Sequence, residues 1–275
     1  MAQASYPQAH PFQTDTMRVG EDADHEPIAI RRIGTEDLRQ ALAQGFDDFS
    51  RQPSHLVFLG LIYPIMGLLI GRAAMDAEWI MLLFPIMAGF ALVGPFAAIG
   101  IYEISRRREQ GLDTAWRHAF DVFRSPARWS ILLVGALLMV LFVAWLASAM
   151  AIYRWAFGDF APAGQTDFMY RVMTTREGWA LILVGNTVGF LFAVAALMIS
   201  VISFPLLLDR HVGAFNAMGA SIRAALANPG PMALWGLIVA ALLVAGSIPL
   251  FVGLAVIVPV LGHATWHLYR KVVVR

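Results

Sequence analysis

Between formally charged residues the chain carries uncharged runs at 52–71, 79–102, 129–153, 178–208 and 224–269. A helix needs about 20 apolar residues to cross the hydrocarbon core of a bilayer. The backbone inside a bilayer must satisfy its own hydrogen bonds, which leaves helices or closed barrels. Runs this long exclude the short alternating segments of a barrel. The last run is long enough for two spans, and Gly246, Ser247, Ile248 and Pro249 (GSIP) supply a turn between them. The expectation is six transmembrane helices, near 55–72, 79–102, 129–153, 178–205, 232–247 and 249–269.

Composition agrees, at 59% hydrophobic and 14% charged, well on the membrane side of a typical soluble domain. Trp79, Trp129, Trp155, Trp179 and Trp266 fall near predicted span ends, where indole rings favour the interface. With the N-terminus in the cytoplasm, sixteen of the twenty Lys and Arg residues fall in inner segments. The exceptions are Arg72, Arg154, Arg171 and Arg176. This positive-inside bias places both termini in the cytoplasm. No secretory signal is expected, and residues 1–33 read as a flexible cytoplasmic tail in which PIAIRRI forms a short extended piece.

Three segments share one pattern. Leu38, Leu42, Phe46 and Phe49 precede Pro53; Leu112, Trp116, Phe120 and Phe123 precede Pro126; Ala214, Met218, Ile222 and Ala225 precede Pro229. A spacing of four, four and three makes one face of a helix, and the proline ends it and opens the next. Thr35, Glu36 and Asp37 suit the start of the first copy. The expected architecture is all-α: three pseudo-repeated transmembrane hairpins, each preceded by a cytoplasmic amphipathic helix. The units run about 35–104, 112–208 and 214–270, within a membrane domain at 34–275.

The even-numbered spans end alike. Pro95 precedes Glu103, Pro205 precedes Asp209, and Pro259 precedes His263. Kinks there would bring Glu103, Asp209, His211, His263 and His267 to similar depth. His263 and His267 lie one helical turn apart and are candidate metal ligands, with Glu103 or Asp209 as a third. The alternative is that both form the interfacial end of span six. HATWH lacks the glutamate of the zinc-protease motif, and the absence of cysteine removes thiolate chemistry and cysteine metal sites. No Asp, Glu, Lys or Arg lies mid-span, where ion-coupled pumps place them. Asn186 is the main deep polar residue, as interhelical glue or as a substrate contact. Gly67 with Gly71, and Gly185 with Gly189, allow close helix contact within the chain or between subunits. Arg106, Arg107 and Arg108 read as a topology signal and as candidate contacts to anionic lipid.

The stretches GLIYPIMGLLIG, FALVGPFAAIGIYEISRRREQG, SFPLLLDRHVGAFNAMGASIRAALANP and LAVIVPVLGHATWHLYRK resemble domain-of-unknown-function family 2189, bacterial integral membrane proteins. The resemblance runs from about residue 28 to the end. It implies a polytopic inner-membrane protein and carries no established activity or catalytic residues. Members are sometimes labelled cytochrome c oxidase subunit I-like. Haem–copper chemistry needs several deep histidines, and of the seven here only His263 and His267 lie within a span, near its end.

The leading expectation is a non-enzymatic membrane protein without a cofactor, organising or assisting a membrane process. Its partners would be membrane lipids and another membrane protein or itself, not nucleic acid. The alternatives are a small-molecule or lipid transporter with a cavity between repeats, and a metal-binding or respiratory-complex accessory protein. Reporter fusions at residues 75, 165 and 247 test the topology. All three should report the non-cytoplasmic side; a cytoplasmic signal at 165 overturns it.

Overall fold

A computed structural model describes residues 28–51, 65, 77–160, 164–249 and 252–274. The described residues are predominantly helical. The helices are α1 (Thr35–Arg51), α2 (Ala77–Ala97), α3 (Ile99–Glu109), α4 (Arg128–Phe157), α5 (Gln165–Thr174), α6 (Arg176–Ser200), α7 (Ser203–Asp209), α8 (Ala214–Ala227), α9 (Pro229–Ser247) and α10 (Leu254–Val272). A 3₁₀ helix, Trp116–Arg124, stands between α3 and α4. The short helix α5 was not anticipated.

Four stretches among the described residues are long and apolar enough to cross a membrane: Phe84–Glu109, Arg128–Phe157, Arg176–Asp209 and Pro229–Ser247. They correspond to the second to fifth expected spans. The expected span at 55–72, with Gly67 and Gly71, lies outside the described residues apart from Ile65. The stretch expected as span six begins at Leu254 rather than 249 and does not join the four. Its second half carries His263, His267, Arg270 and Lys271, which lower its apolarity.

Local chemistry explains the helix limits. Thr175 caps α6 by accepting the Gly178 N–H at 3.0 Å. The chain leaves α4 through Gly158, whose φ of 62° lies in the left-handed region. The helix that begins as α6 breaks at Val201–Ile202, ahead of Pro205. Proline has no N–H, so the Val201 carbonyl loses its usual i+4 donor. The Ile202 N–H turns instead to the Ser221 hydroxyl on α8, at 3.2 Å, and Ser203 Oγ donates to the Ile199 carbonyl. Ser200, Ser203 and Ser221 are all buried, so the break is satisfied from within the protein. A similar break at Ala98, three residues past Pro95, separates α2 from α3.

The extended piece expected at PIAIRRI forms. Ile30 bridges Val273 antiparallel, and the Arg31 N–H donates to the Val272 carbonyl at 2.7 Å. Asn228 closes this corner: its Oδ1 accepts the Ile33 N–H at 2.8 Å and its Nδ2 donates to the Arg31 carbonyl at 3.1 Å. Both ends of the described chain are thereby tied to the α8–α9 junction.

The three amphipathic segments are used differently. On α1 the buried residues are Leu38, Ala41, Gly45 and Asp48, a face rotated from the expected stripe, and Phe46 is exposed. On α8 the buried positions include Ala217, Ala220, Ser221 and Ala224 beside Ala214 and Ala225. In both, small residues face inward and the backbones approach closely. The middle segment is 3₁₀ rather than α and turns Trp116, Phe120 and Phe123 outward. Its Ala119 presses on α3, where a Cβ added at Gly100 would stand 2.9 Å from the Ala119 methyl.

Trp129, Trp155 and Trp179 are exposed, as interfacial residues should be, but Trp266 is fully buried. The reason is that α10 packs its Trp266 face into the bundle. Gly45 governs that packing, because a Cβ there would lie 2.5 Å from the Ala264 nitrogen on α10. Gly45→Leu should lower stability by about 2 kcal/mol or more through overpacking. Thermal unfolding in detergent would read the loss, together with faster amide exchange in α1 and α10.

Candidate functional site

The helix ends α3, α7 and α10 converge, and α1 packs chiefly on α10, its Asp48 reaching α3. Three polar knots form there. The first is centred on Asp48 of α1. His267 Nε2 stands 2.9 Å from Asp48 Oδ2, and Arg108 Nη1 stands 2.8 Å from Asp48 Oδ1. Ser105 Oγ lies 3.3 Å from Asp48 Oδ2 and 2.6 Å from His263 Nδ1. Asp48, Ser105 and His263 are buried.

One proton arrangement satisfies this knot best. Protonated Nδ1 of His263 donates to the Ser105 hydroxyl, which donates to Asp48. His263 Nε2, which has no hydrogen-bond partner among the described residues, then bears only a lone pair. The opposite tautomer would strand an N–H donor in the interior. The geometry is not that of a nucleophile triad, in which serine and aspartate bond opposite nitrogens of one imidazole. Here both Ser105 and Asp48 lie on the Nδ1 side of His263, with Asp48 Oδ2 at 3.9 Å. Burial works against ionisation of Asp48. The His267 hydrogen bond, with the charges of His267 and Arg108, outweighs it and holds the carboxyl below the usual carboxylate range.

The second knot joins α10 to α7 and α3. Asp209 Oδ2 accepts the Tyr269 hydroxyl at 2.5 Å and Arg270 Nη1 at 2.8 Å. Glu109 Oε2 accepts Arg270 Nε at 2.8 Å and Trp266 Nε1 at 3.1 Å. The third lies within α3, where buried Glu103 holds Arg106 through two bonds, at 2.7 and 2.8 Å.

The helix ends therefore come together as expected, but the side chains choose other partners. Glu103 and Asp209 each hold an arginine rather than face His263 and His267. His211 lies exposed in the α7–α8 turn. Among the described residues, no group of three or more His, Asp or Glu side chains is arranged to hold a metal ion. Asn186 is exposed on α6 and donates to the Ile182 carbonyl of its own helix at 2.7 Å. Gly189 packs over Trp145 of α4, and a Cβ at Gly185 would meet open space. Arg107 donates to the Asp113 carbonyl at 2.7 Å, and Arg108 also reaches Asp47 at 3.2 Å. The basic run Arg106–Arg108 is thus engaged within the protein.

Residues 83–209 match the family described as predicted integral membrane protein (DUF2189). The resemblance drawn from the sequence is shown over that stretch. No curated protein and no solved structure matches the chain. The DUF2189 match includes Glu103, Ser105, Arg108 and Asp209. Asp48, His263 and His267 lie outside it.

Asp48 is the residue that sequence reasoning missed. It carries no apolar signal, and the stripe through Phe46 and Phe49 pointed to a neighbouring face. The signal that could have found it is small-residue spacing, since Ala41, Gly45 and Asp48 share the face that Leu38 begins. Asp48→Ala leaves His267 and Ser105 without their shared acceptor and Arg108 without its buried counter-charge, and should cost about 3 kcal/mol. A carboxyl depressed in the folded state contributes stability above its unfolded pKa and loses it as pH falls through the folded value. Amide protection of α1 should therefore hold from about pH 7 to pH 5 and decline only below the usual carboxylate range, near 4.

Proposed function

We propose that this membrane protein is a non-enzymatic, six-helix protein of the bacterial inner membrane, built from three pseudo-repeated hairpins, that organises or assists another membrane process. The stretches 55–72 and 249–269 complete the six spans, and both termini face the cytoplasm. The observation that carries this reading is the docking of α1. Its one buried carboxylate joins it to α3 and α10, and the neighbouring acids are engaged by Arg106, Arg270 and Tyr269. These bonds hold the polar helix ends as a fixed collar on the inner face rather than as the two alternative arrangements that alternating access requires. The exposed placement of Asn186, bonded to its own helix, counts against a substrate contact in an internal cavity.

Native gel migration of the full chain extracted from its host membrane tests this. It should run within a larger assembly, and an inserted Asp48→Ala variant should leave that assembly as the collar loosens. Migration as a free chain, with solute flux into sealed vesicles that carry it, would overturn the reading.

A further inference from the structure

We propose that the 3₁₀ helix Trp116–Arg124 and the first turn of α4 form a binding site for the headgroups of anionic phospholipid. Three observations carry this. The first is an outward aromatic ridge. Trp116 meets Phe120 edge-on at 6.1 Å and Phe120 stacks on Phe123 at 6.4 Å, yet each of the three side chains is more than half exposed. A contiguous apolar ridge on a polar connection needs cover.

The second is position. Four residues after the 3₁₀ helix ends, Arg128 begins α4, a stretch of 30 residues apolar enough to cross a membrane. The ridge therefore sits at the boundary between water and hydrocarbon, where aromatic rings are favoured. Trp129, in the first turn of α4, is 70% exposed.

The third is charge. The opposite side of the 3₁₀ helix is bound to the protein: His118 bridges Asp113 at 3.0 Å and Asp121 at 2.6 Å, and Arg107 reaches Asp121 at 3.5 Å. These contacts compensate both carboxylates. Arg117 is paired with Asp113 at 2.9 Å, but Arg124 is 88% exposed with its nearest carboxylate, Asp121, at 3.8 Å. Arg128 lies over the Trp129 ring at 5.6 Å. Arg117 and Arg124 line a cleft of about 550 Å³ together with His118, Phe120, Asp121 and Phe123. Aromatic rings below the headgroups, with guanidinium groups at phosphate level, complement an anionic lipid surface. The arginines that the sequence offered for this task, Arg106–Arg108, are engaged inside the protein, whereas exposed Arg124 keeps only a 3.8 Å ion pair with Asp121 and Arg128 lies over Trp129.

The inference rests on α4 crossing the membrane, and not on which side faces the cytoplasm, because a lipid nanodisc presents two equal leaflets. The chain has no cysteine, so single labels are straightforward. Full-length Phe120→Cys and Phe123→Cys proteins, spin-labelled, would be placed in discs of phosphatidylcholine with and without phosphatidylglycerol. Co-elution with the discs reads insertion, and the labels read contact. Both labels should relax more with oxygen than with a water-soluble nickel chelate. Native mass spectrometry should show phosphatidylglycerol retention falling about tenfold in Arg124→Gln/Arg128→Gln and largely kept in Arg124→Lys/Arg128→Lys. Nickel access at both labels would overturn the proposal. So would exclusion of both reagents, which would mean that protein covers the ridge. Equal retention of phosphatidylglycerol by the wild type and the glutamine variant would overturn it as well.

Discussion

A carboxylate removed from water has to be paired, and Asp48 is removed from water between three helices. Its two oxygens collect His267, Ser105 and Arg108, and through Ser105 they engage His263. That requirement ties α1 to α3 and α10 in one register. A slip of α1 by a single residue would take the carboxylate off this face and leave its partners unsatisfied. The apolar contacts around Leu38 and Ala41 add attraction, but they are less directional than the bonds to Asp48.

The close approach that allows this pairing depends on small side chains. Gly45 lies against Ala264, and the alanines of α8 line the side that meets the break between α6 and α7. Apart from buried Leu38, the large apolar residues of the same segments stand at the edge or outside, with Phe46 and Phe215 exposed. In a chain with so much apolar surface, contact between helices is set by how near the backbones come rather than by which residues avoid water. The middle segment shows the other use of the same pattern: polar contacts hold its inner side, and its aromatic side faces outward.

Two proline-marked breaks bring the polar ends together. The break before Pro205 frees backbone groups that Ser203 and Ser221 satisfy, and α7 then delivers Asp209 to Arg270 and Tyr269. The prolines, the ionisable residues and their common end of the bundle were legible in sequence, because a proline changes the backbone wherever it stands. The choice among partners was not. Glu103 is three residues from Arg106 on its own helix, and so local a pair takes the carboxylate before any distant histidine can.

The sequence alone determined that this is a helical membrane protein, where its long apolar stretches lie and where two of those helices break, near Pro95 and Pro205; the helix carrying Pro259 runs on unbroken. Those properties follow from run length, hydropathy and the chemistry of proline, and each acts within a few turns of chain. Tertiary structure decided that Asp48 belongs with His263 and His267, across more than two hundred residues of chain. It also turned Trp266 inward and spent Arg106–Arg108 inside the protein, leaving Arg124 and Arg128 outside. These outcomes depend on which helix faces meet, and small residues set that through close approach, which hydropathy does not record.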